Sequence, residues 1–288
     1  MPELPEVETI RRSLEKQIVG KTIEKIIISP DFEKRIAPSA SIFISALKGE
    51  KLVGLTRRAK MLILDFGYNL KVLVHLKMTG QFIYRSGKKV ISGGHPIKQD
   101  LNQPLRFNKV QFVFKSGEKL YFNDVRKFGY LKLVSDGEAK AAQSAFGVEP
   151  IEPKFTYEIF NEILKNKKNL GIKKILLNQQ LIAGLGNIYV DESCHIAQIK
   201  PTRKASSLKK IERERLFKAT RDILKKAIKY RGTSVNTYVD GFGRKGTFTQ
   251  FLKVYGRAGQ ICASCGHAEI KKIKYAGRGT NFCPKCQK

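Results

Sequence analysis

Two groups of residues in this sequence could do chemistry, one at each end. Near the C-terminus, Cys262-x2-Cys265-x17-Cys283-x2-Cys286 sets two CxxC knuckles at a separation that lets four thiolates converge, the tetrahedral arrangement that suits zinc. The intervening GHAEIKKIKYAGRGTNF is long enough for a β-hairpin and short of a helical finger. Four thiolates leave zinc no open position, so the metal would hold structure and perform no reaction. With the shell complete, His267 is not needed. At the other end the chain reads MPELPEVETIRRSLEKQIVG. Removal of Met1 would expose Pro2 as a secondary amine. An α-amine titrates at about 7.7–8 against about 10.4 for lysine, so more of it is an unprotonated nucleophile near neutrality. Attack on a sugar carbon would give a cationic iminium that acidifies the neighbouring C–H. The carboxyl of Glu3, one residue away, could protonate the ring oxygen or the leaving group. The plainer alternative is an ordinary proline-rich helix start, and these two residues alone favour it.

Each group needs elements to position it. Val7, Ile10, Leu14 and Ile18 recur at helical spacing, with Gly20 as a stop. Pro5 fits a first turn, and Glu3 and Glu6 lie at the positive end of the helix dipole. Residues 21 to about 134 read as sheet: TIEKIIIS, MLILDF, KVLVHLKM, QFIYR, VQFVF, KLYF and GYLKLV are short β-branched or aromatic runs between turn signals. That rhythm predicts a β-sandwich or barrel. VSDGEAKAAQSAFGVEPIEPK marks a boundary, and helical periodicity follows in TYEIFNEILKNKK, IKKILLNQQ, NIYVDESCHIAQI and SSLKKIERERLFKATRDILKKAIKY. The expected organisation is a helix plus β domain over 1–134, a linker over 135–154, a helical domain over 155–245 and a cysteine module over 246–288.

Charge narrows the partner. Fifty-five Lys and Arg against 25 Asp and Glu give a formal +30, which favours a polyanion, most simply nucleic acid. Residues 200–232 concentrate it, with 13 basic residues against three acids. A solvated basic surface is the competing explanation. No apolar run reaches the roughly 18 residues of a membrane span. Five cysteines behind an opening that is not a secretory signal point to a reducing compartment, the cytoplasm, rather than to a disulfide framework.

Several single residues are ambiguous on their own. Arg278 sits between two glycines in AGRGTNF, suited either to a phosphate or to solvent. Gly184, Gly186 and Asn187 in GLGNIYVDE fit a phosphate-binding turn or a tight helix–helix turn equally well. Cys194 and His195 read as a core thiol and a packed or surface imidazole. Lys60, behind Arg57 and Arg58, reads as one more surface lysine.

Taken together the motifs resemble those of the formamidopyrimidine-DNA glycosylases. The similarity runs through MPELPEVETIRR, RRAK with Lys60, HLKMTG with Met78, NDVRKFGYL with Arg126 and Phe128, LLNQQLIAGLGNIYVDE, VYGRAGQIC and GRGTNFCPKCQ, nearly the whole chain. The resemblance implies an α+β multidomain fold: an N-terminal β-sandwich with the first helix, a helix–two-turn–helix domain and a zinc β-hairpin. It implies a bifunctional glycosylase and abasic-site lyase that removes 8-oxoguanine and ring-opened purines, then cleaves the strand by β- and δ-elimination. Pro2 would be the Schiff-base nucleophile and Glu3 the proton donor. Lys60, Asn187 and Arg278 would hold phosphates around the lesion. Met78, Arg126 and Phe128 would fill the gap left by the flipped nucleotide. Cys262, Cys265, Cys283 and Cys286 would hold one structural zinc. The implied partner is double-stranded DNA containing oxidised purines, met by a monomer with no membrane attachment.

The sequence also departs from the family's pattern. Lys77 and Ala59 stand where members usually carry glycine, RFNKVQF replaces a histidine-containing strand near residue 108, and Ser234 stands where threonine is more usual. Two rivals remain: the sister endonuclease VIII lineage, which prefers oxidised pyrimidines, and a non-catalytic zinc-ribbon protein that binds DNA or RNA. The last would need neither Pro2-Glu3 nor a wedge.

Overall fold

The computed structural model describes residues 1–87, 89–94, 107–233 and 246–288. The chain divides into two compact units, Met1–Ser144 with Arg231–Thr247, and Ala145–Tyr230 with Phe248–Lys288.

The first unit opens with α1 (Leu4–Ile18). Its stripe of Val7, Ile10, Leu14 and Ile18 is at most 1% exposed. At about 1.5–3 kcal/mol for each buried aliphatic side chain, this stripe alone matches the net stability of a typical domain. That is why the N-terminus is held. The strands are β1 (Ile23–Ile28), β2 (Ile36–Ala37), β3 (Gly54–Arg58), β4 (Met61–Asp65), β5 (Lys71–His75), β6 (Gly80–Ser86), β7 (Lys89–Gly94), β8 (Asn108–Phe114), β9 (Lys119–Asp124) and β10 (Tyr130–Val134). They form two five-stranded sheets, ordered β1-β8-β9-β6-β7 and β2-β10-β5-β4-β3. Pairing is antiparallel except between β10 and β2. Leu62, Val72 and Val74 of one sheet share a core with Phe82, Phe112 and Phe122 of the other and with the α1 stripe. This is the expected sandwich.

Two helices interrupt segments read as sheet or linker. α2 (Ala40–Leu47) forms from ASIFISAL because the Ser39 hydroxyl caps it, accepting the Ile42 N–H at 3.2 Å, and because Phe43 and Leu47 are buried. The stretch expected as a linker carries α3 (Asp136–Ser144). Ser135 and Glu138 cap it reciprocally: the hydroxyl accepts the Glu138 N–H at 3.2 Å, and the carboxylate accepts the Ser135 N–H at 2.9 Å.

The second unit holds α4 (Tyr157–Asn166), α5 (Ile172–Leu177), α6 (Asn187–Ile196) and α7 (Lys210–Lys229), followed by a hairpin of β11 (Lys271–Tyr275) and β12 (Arg278–Phe282). Among the described residues no helix is long and apolar enough to cross a membrane.

Candidate active site, DNA contacts and zinc site

The start of α1 is built to stay still. Glu3 is its N-cap, in extended conformation, and its N–H donates to Glu6 Oε2 at 2.8 Å, one arm of a capping box. Glu6 Oε1 accepts the Thr233 N–H at 2.8 Å. Gly232, at φ +79°, leaves room for this: a Cβ there would lie 2.7 Å from the same oxygen. Met1 is 41% exposed, whereas Glu3 is 3% and Glu6 2% exposed.

The turn bearing Lys60 joins β3 to β4. Arg58 pairs with Met61, so Ala59 and Lys60 form a two-residue loop. Ala59 has φ +53°, at the loop position that a type II′ turn normally gives to glycine. Lys77, the other glycine replacement, likewise has φ +49°. Both departures thus fall on left-handed backbone. It costs a non-glycine residue about 1–2 kcal/mol, of which a stiffer unfolded chain returns about 0.4–1 kcal/mol. The fold tolerates both. Lys60 is not a surface lysine: it is 6% exposed. Arg57 Nη1 donates to the Ala59 carbonyl at 2.8 Å and its Nε to Glu8 Oε2 at 3.1 Å. Burial alone would raise the Glu8 carboxyl, but hydrogen bonds from Arg11 and Arg12 and the charges of Arg11 and Arg57 hold it at about 2.

His75, not singled out by its sequence context, closes β5 opposite Met61 and Tyr130. Burial and the charges of Lys77 and Lys60 lower its pKa to about 3. Its Nδ1 accepts the Lys77 N–H at 3.0 Å, so the neutral ring carries its proton on Nε2 and presents a donor. A histidine between two lysines at a strand end was the available signal.

Met78, Arg126 and Phe128 come together through pairing of Gly80 with Asp124, where β6 meets β9. Met78 is 40% and Phe128 42% exposed, and the Arg126 guanidinium carbon lies 4.6 Å from the Phe128 ring centre. Fully buried Asp124 stakes both turns. Its Oδ1 accepts the Thr79 hydroxyl and the Arg126 N–H, the latter at 3.2 Å, and its Oδ2 accepts the Gly129 N–H at 2.7 Å. A Cβ on Gly129 would lie 2.8 Å from the Phe122 ring and 3.0 Å from Asp124.

In the second unit the turn before α6 is held by Gln179, which donates to the Leu185 carbonyl at 2.8 Å and accepts the Gly184 N–H at 2.9 Å. Asn187 opens α6, and its Nδ2 donates to the Gly279 carbonyl at 2.9 Å. Two residues that looked ambiguous separately, Asn187 and Arg278, are therefore neighbours. Arg278 is exposed and begins β12 after the Ala276–Gly277 turn. Buried acids of α6 hold two segments of the cysteine module, one ahead of Cys262 and one just before Cys283. Asp191 accepts the Asn281 N–H at 2.8 Å and Lys173 Nζ at 2.6 Å, and Glu192 accepts the N–H groups of Lys253, Val254 and Tyr255 at 2.8–2.9 Å.

The ligand atoms of Cys262, Cys265, Cys283 and Cys286 all lie within 4.8 Å of one another. The Cys262–Cys286 and Cys265–Cys283 sulfur pairs are both 3.8 Å apart. A zinc tetrahedron with bonds of about 2.3 Å has edges of about 3.8 Å, so the cluster suits one zinc ion. His195 lies beside it, Nε2 3.8 Å from Cys262 Sγ, whereas His267 is exposed. Cys194 is fully buried, and burial raises its pKa far above the ordinary thiol range. It is a core thiol. Ser234 and most of the loop around it lie outside the described residues.

Residues 1–131 match the formamidopyrimidine-DNA glycosylase N-terminal domain, 146–239 the formamidopyrimidine-DNA glycosylase H2TH domain, and 259–288 the zinc finger found in FPG and IleRS. Formamidopyrimidine-DNA glycosylases of Bacillus cereus and Enterococcus faecalis are each 40% identical, covering all of this chain and 99% and 97% of theirs. The Lactococcus lactis Fpg in complex with DNA containing an abasic site superposes with a TM-score of 0.87 at 36% identity over 99% of both chains. A Lactococcus lactis Fpg mutant bound to DNA containing Fapy-dG gives the same score, identity and coverage. With its three domains in order and its whole length matched, the chain belongs to the formamidopyrimidine-DNA glycosylase family of DNA-repair glycosylases and abasic-site lyases.

Proposed function

We propose that this protein excises oxidised purines, 8-oxoguanine and formamidopyrimidines, from duplex DNA through a Schiff base on Pro2. The observation that carries the reading is the buried Glu3 locked at the head of α1, directly behind the residue whose amine would attack. The amine forms a bond to sugar C1′ as the glycosidic bond breaks, and the base leaves with that electron pair and takes up a proton. Glu3 donates a proton to the ring oxygen, which opens the sugar and leaves an iminium on Pro2. Loss of a C2′ proton then expels the 3′ phosphate, and a second elimination expels the 5′ phosphate.

The remaining residues bind and shape. Lys60 and the Nε2–H of His75 supply donors to phosphates from the first unit, and Asn187 and Arg278 supply them from the second. Zinc contributes by fixing the hairpin that presents Arg278. Met78, Phe128 and Arg126 occupy the space of the flipped nucleotide, which offsets part of the few kcal/mol that flipping costs. The complexes of the related Lactococcus lactis protein with abasic-site and Fapy-dG DNA support this substrate class.

The test uses the wedge. Arginine carries only donors in a rigid fork, so Arg126 matches the acceptor-bearing edge of an orphaned cytosine better than that of adenine. Single-turnover excision of 8-oxoguanine should be faster opposite cytosine than opposite adenine, and Arg126→Ala should narrow the ratio without lowering Tm. Faster removal of thymine glycol than of 8-oxoguanine would instead assign the chain to the pyrimidine-specific sister activity.

A further inference from the structure

We infer that Glu8 and Arg57 are positioning residues that hold the turn presenting Lys60 in register with the helix that begins at Pro2-Glu3. The inference rests on the roles proposed above for Pro2 and Lys60.

The arrangement is more than local helix stabilisation. Glu8 accepts from Arg11 Nε at 3.1 Å and Nη2 at 3.0 Å, and from Arg12 Nε at 2.7 Å, all within α1. Those two partners would suffice for a carboxylate on an exposed helix face, whereas Glu8 is only 7% exposed and takes a third. The third, Arg57, comes from β3, and its side chain is only 7% exposed. Its two ends do different jobs: Nε binds Glu8, and Nη1 binds the carbonyl of Ala59. That carbonyl belongs to the residue held at φ +53°, and Lys60 follows directly. A conformation that alanine resists is thus clamped by a group anchored on the catalytic helix.

A planar fork can grip a carboxylate and a carbonyl together, whereas an ammonium is a point charge on a flexible stem. Arg57→Lys should therefore keep the buried charge and lose the clamp. Ala59→Gly removes the need for the clamp, because glycine adopts this backbone without strain. A residue that only glued α1 to the sheet would show no such dependence on what occupies position 59.

The test uses full-length zinc-loaded protein carrying Arg57→Lys, Ala59→Gly, both together, or Glu8→Gln. Hydrogen–deuterium exchange over residues 57–62 reads the clamp without DNA, and single-turnover excision of 8-oxoguanine reads its consequence. Arg57→Lys should speed exchange at residues 59–61 and slow excision, each about tenfold, with Tm lowered by only a few degrees. Adding Ala59→Gly should bring both back to within threefold of wild type. Glu8→Gln should act in the same direction more weakly, because an amide oxygen still accepts. Unchanged exchange in Arg57→Lys, or an excision defect of the same size in both position-59 backgrounds, overturns the inference. If the wild-type protein excises nothing, the proposed function has failed, and exchange alone still decides whether Arg57 clamps the turn.

Discussion

Replacing Glu3 by glutamine should slow release of 8-oxoguanine by about 10²–10⁴ in single-turnover assays, the usual contribution of a positioned general acid. That loss corresponds to about 3–5 kcal/mol of transition-state stabilisation. Glutamine keeps the size and an acceptor oxygen but has no acidic proton. A weaker cap at the head of α1 would cost only about 0.5–2 kcal/mol, so Tm should move by a few degrees and affinity for damaged duplex should persist. Cleavage at a pre-formed abasic site should suffer less than base release. An abasic sugar already equilibrates with its open-chain aldehyde, so Pro2 can condense with it without ring-opening protonation. An equal loss in both reactions, tracking a loss of folded protein, would make Glu3 a structural cap and nothing more.

Removing the metal should have the second large effect. The cysteine module has little apolar core of its own: Val254, Cys262, Ile270 and Cys283 make up its buried cluster. Structural zinc contributes about 10–16 kcal/mol to folding small modules at neutral pH, far more than those few residues can. Elemental analysis should find one zinc per chain. Cys283→Ser should abolish zinc retention and weaken binding to lesion duplex at least a hundredfold, while the sandwich stays folded by circular dichroism. Arg278→Ala should weaken binding with zinc retained, separating the reader from its support. A zinc-free protein that bound DNA normally would show that this hairpin is not part of the interface.

What the sequence made legible was what repeats or clusters locally. The stripe from Val7 to Ile18, the two CxxC knuckles and the alternation of short β runs needed no knowledge of partners far along the chain. The supports of the site are different. Asp124 holds Thr79 across 45 positions, Arg57 meets Glu8 across 49 and Asn281 meets Asp191 across 90. Nothing in the periodicity around any one of them names the other. Lys60 read as surface because its neighbours are arginines, yet Glu8, invisible from that stretch, draws Arg57 inward. α2 is hidden in the sequence because Ile42, Phe43 and Ile44 form a strand-favouring run at its centre, and burial of Phe43 and Leu47 on one helix face outweighs that preference. The positions of Ala59 and Lys77 could be noted as departures, but their φ values were needed to show why glycine is at home there.

The central claim is that the reacting amine belongs to Pro2, and reductive trapping tests it most directly. Borohydride added during reaction with a duplex containing one 8-oxoguanine opposite cytosine should freeze the iminium as a stable amine. Digestion and mass spectrometry should then find the DNA on a peptide that begins at Pro2, with Met1 gone, and Pro2→Gly should sharply reduce trapping. A cross-link on Lys60 or any other internal lysine, or active protein that retains Met1, would contradict the account, because an amide nitrogen is not a nucleophile.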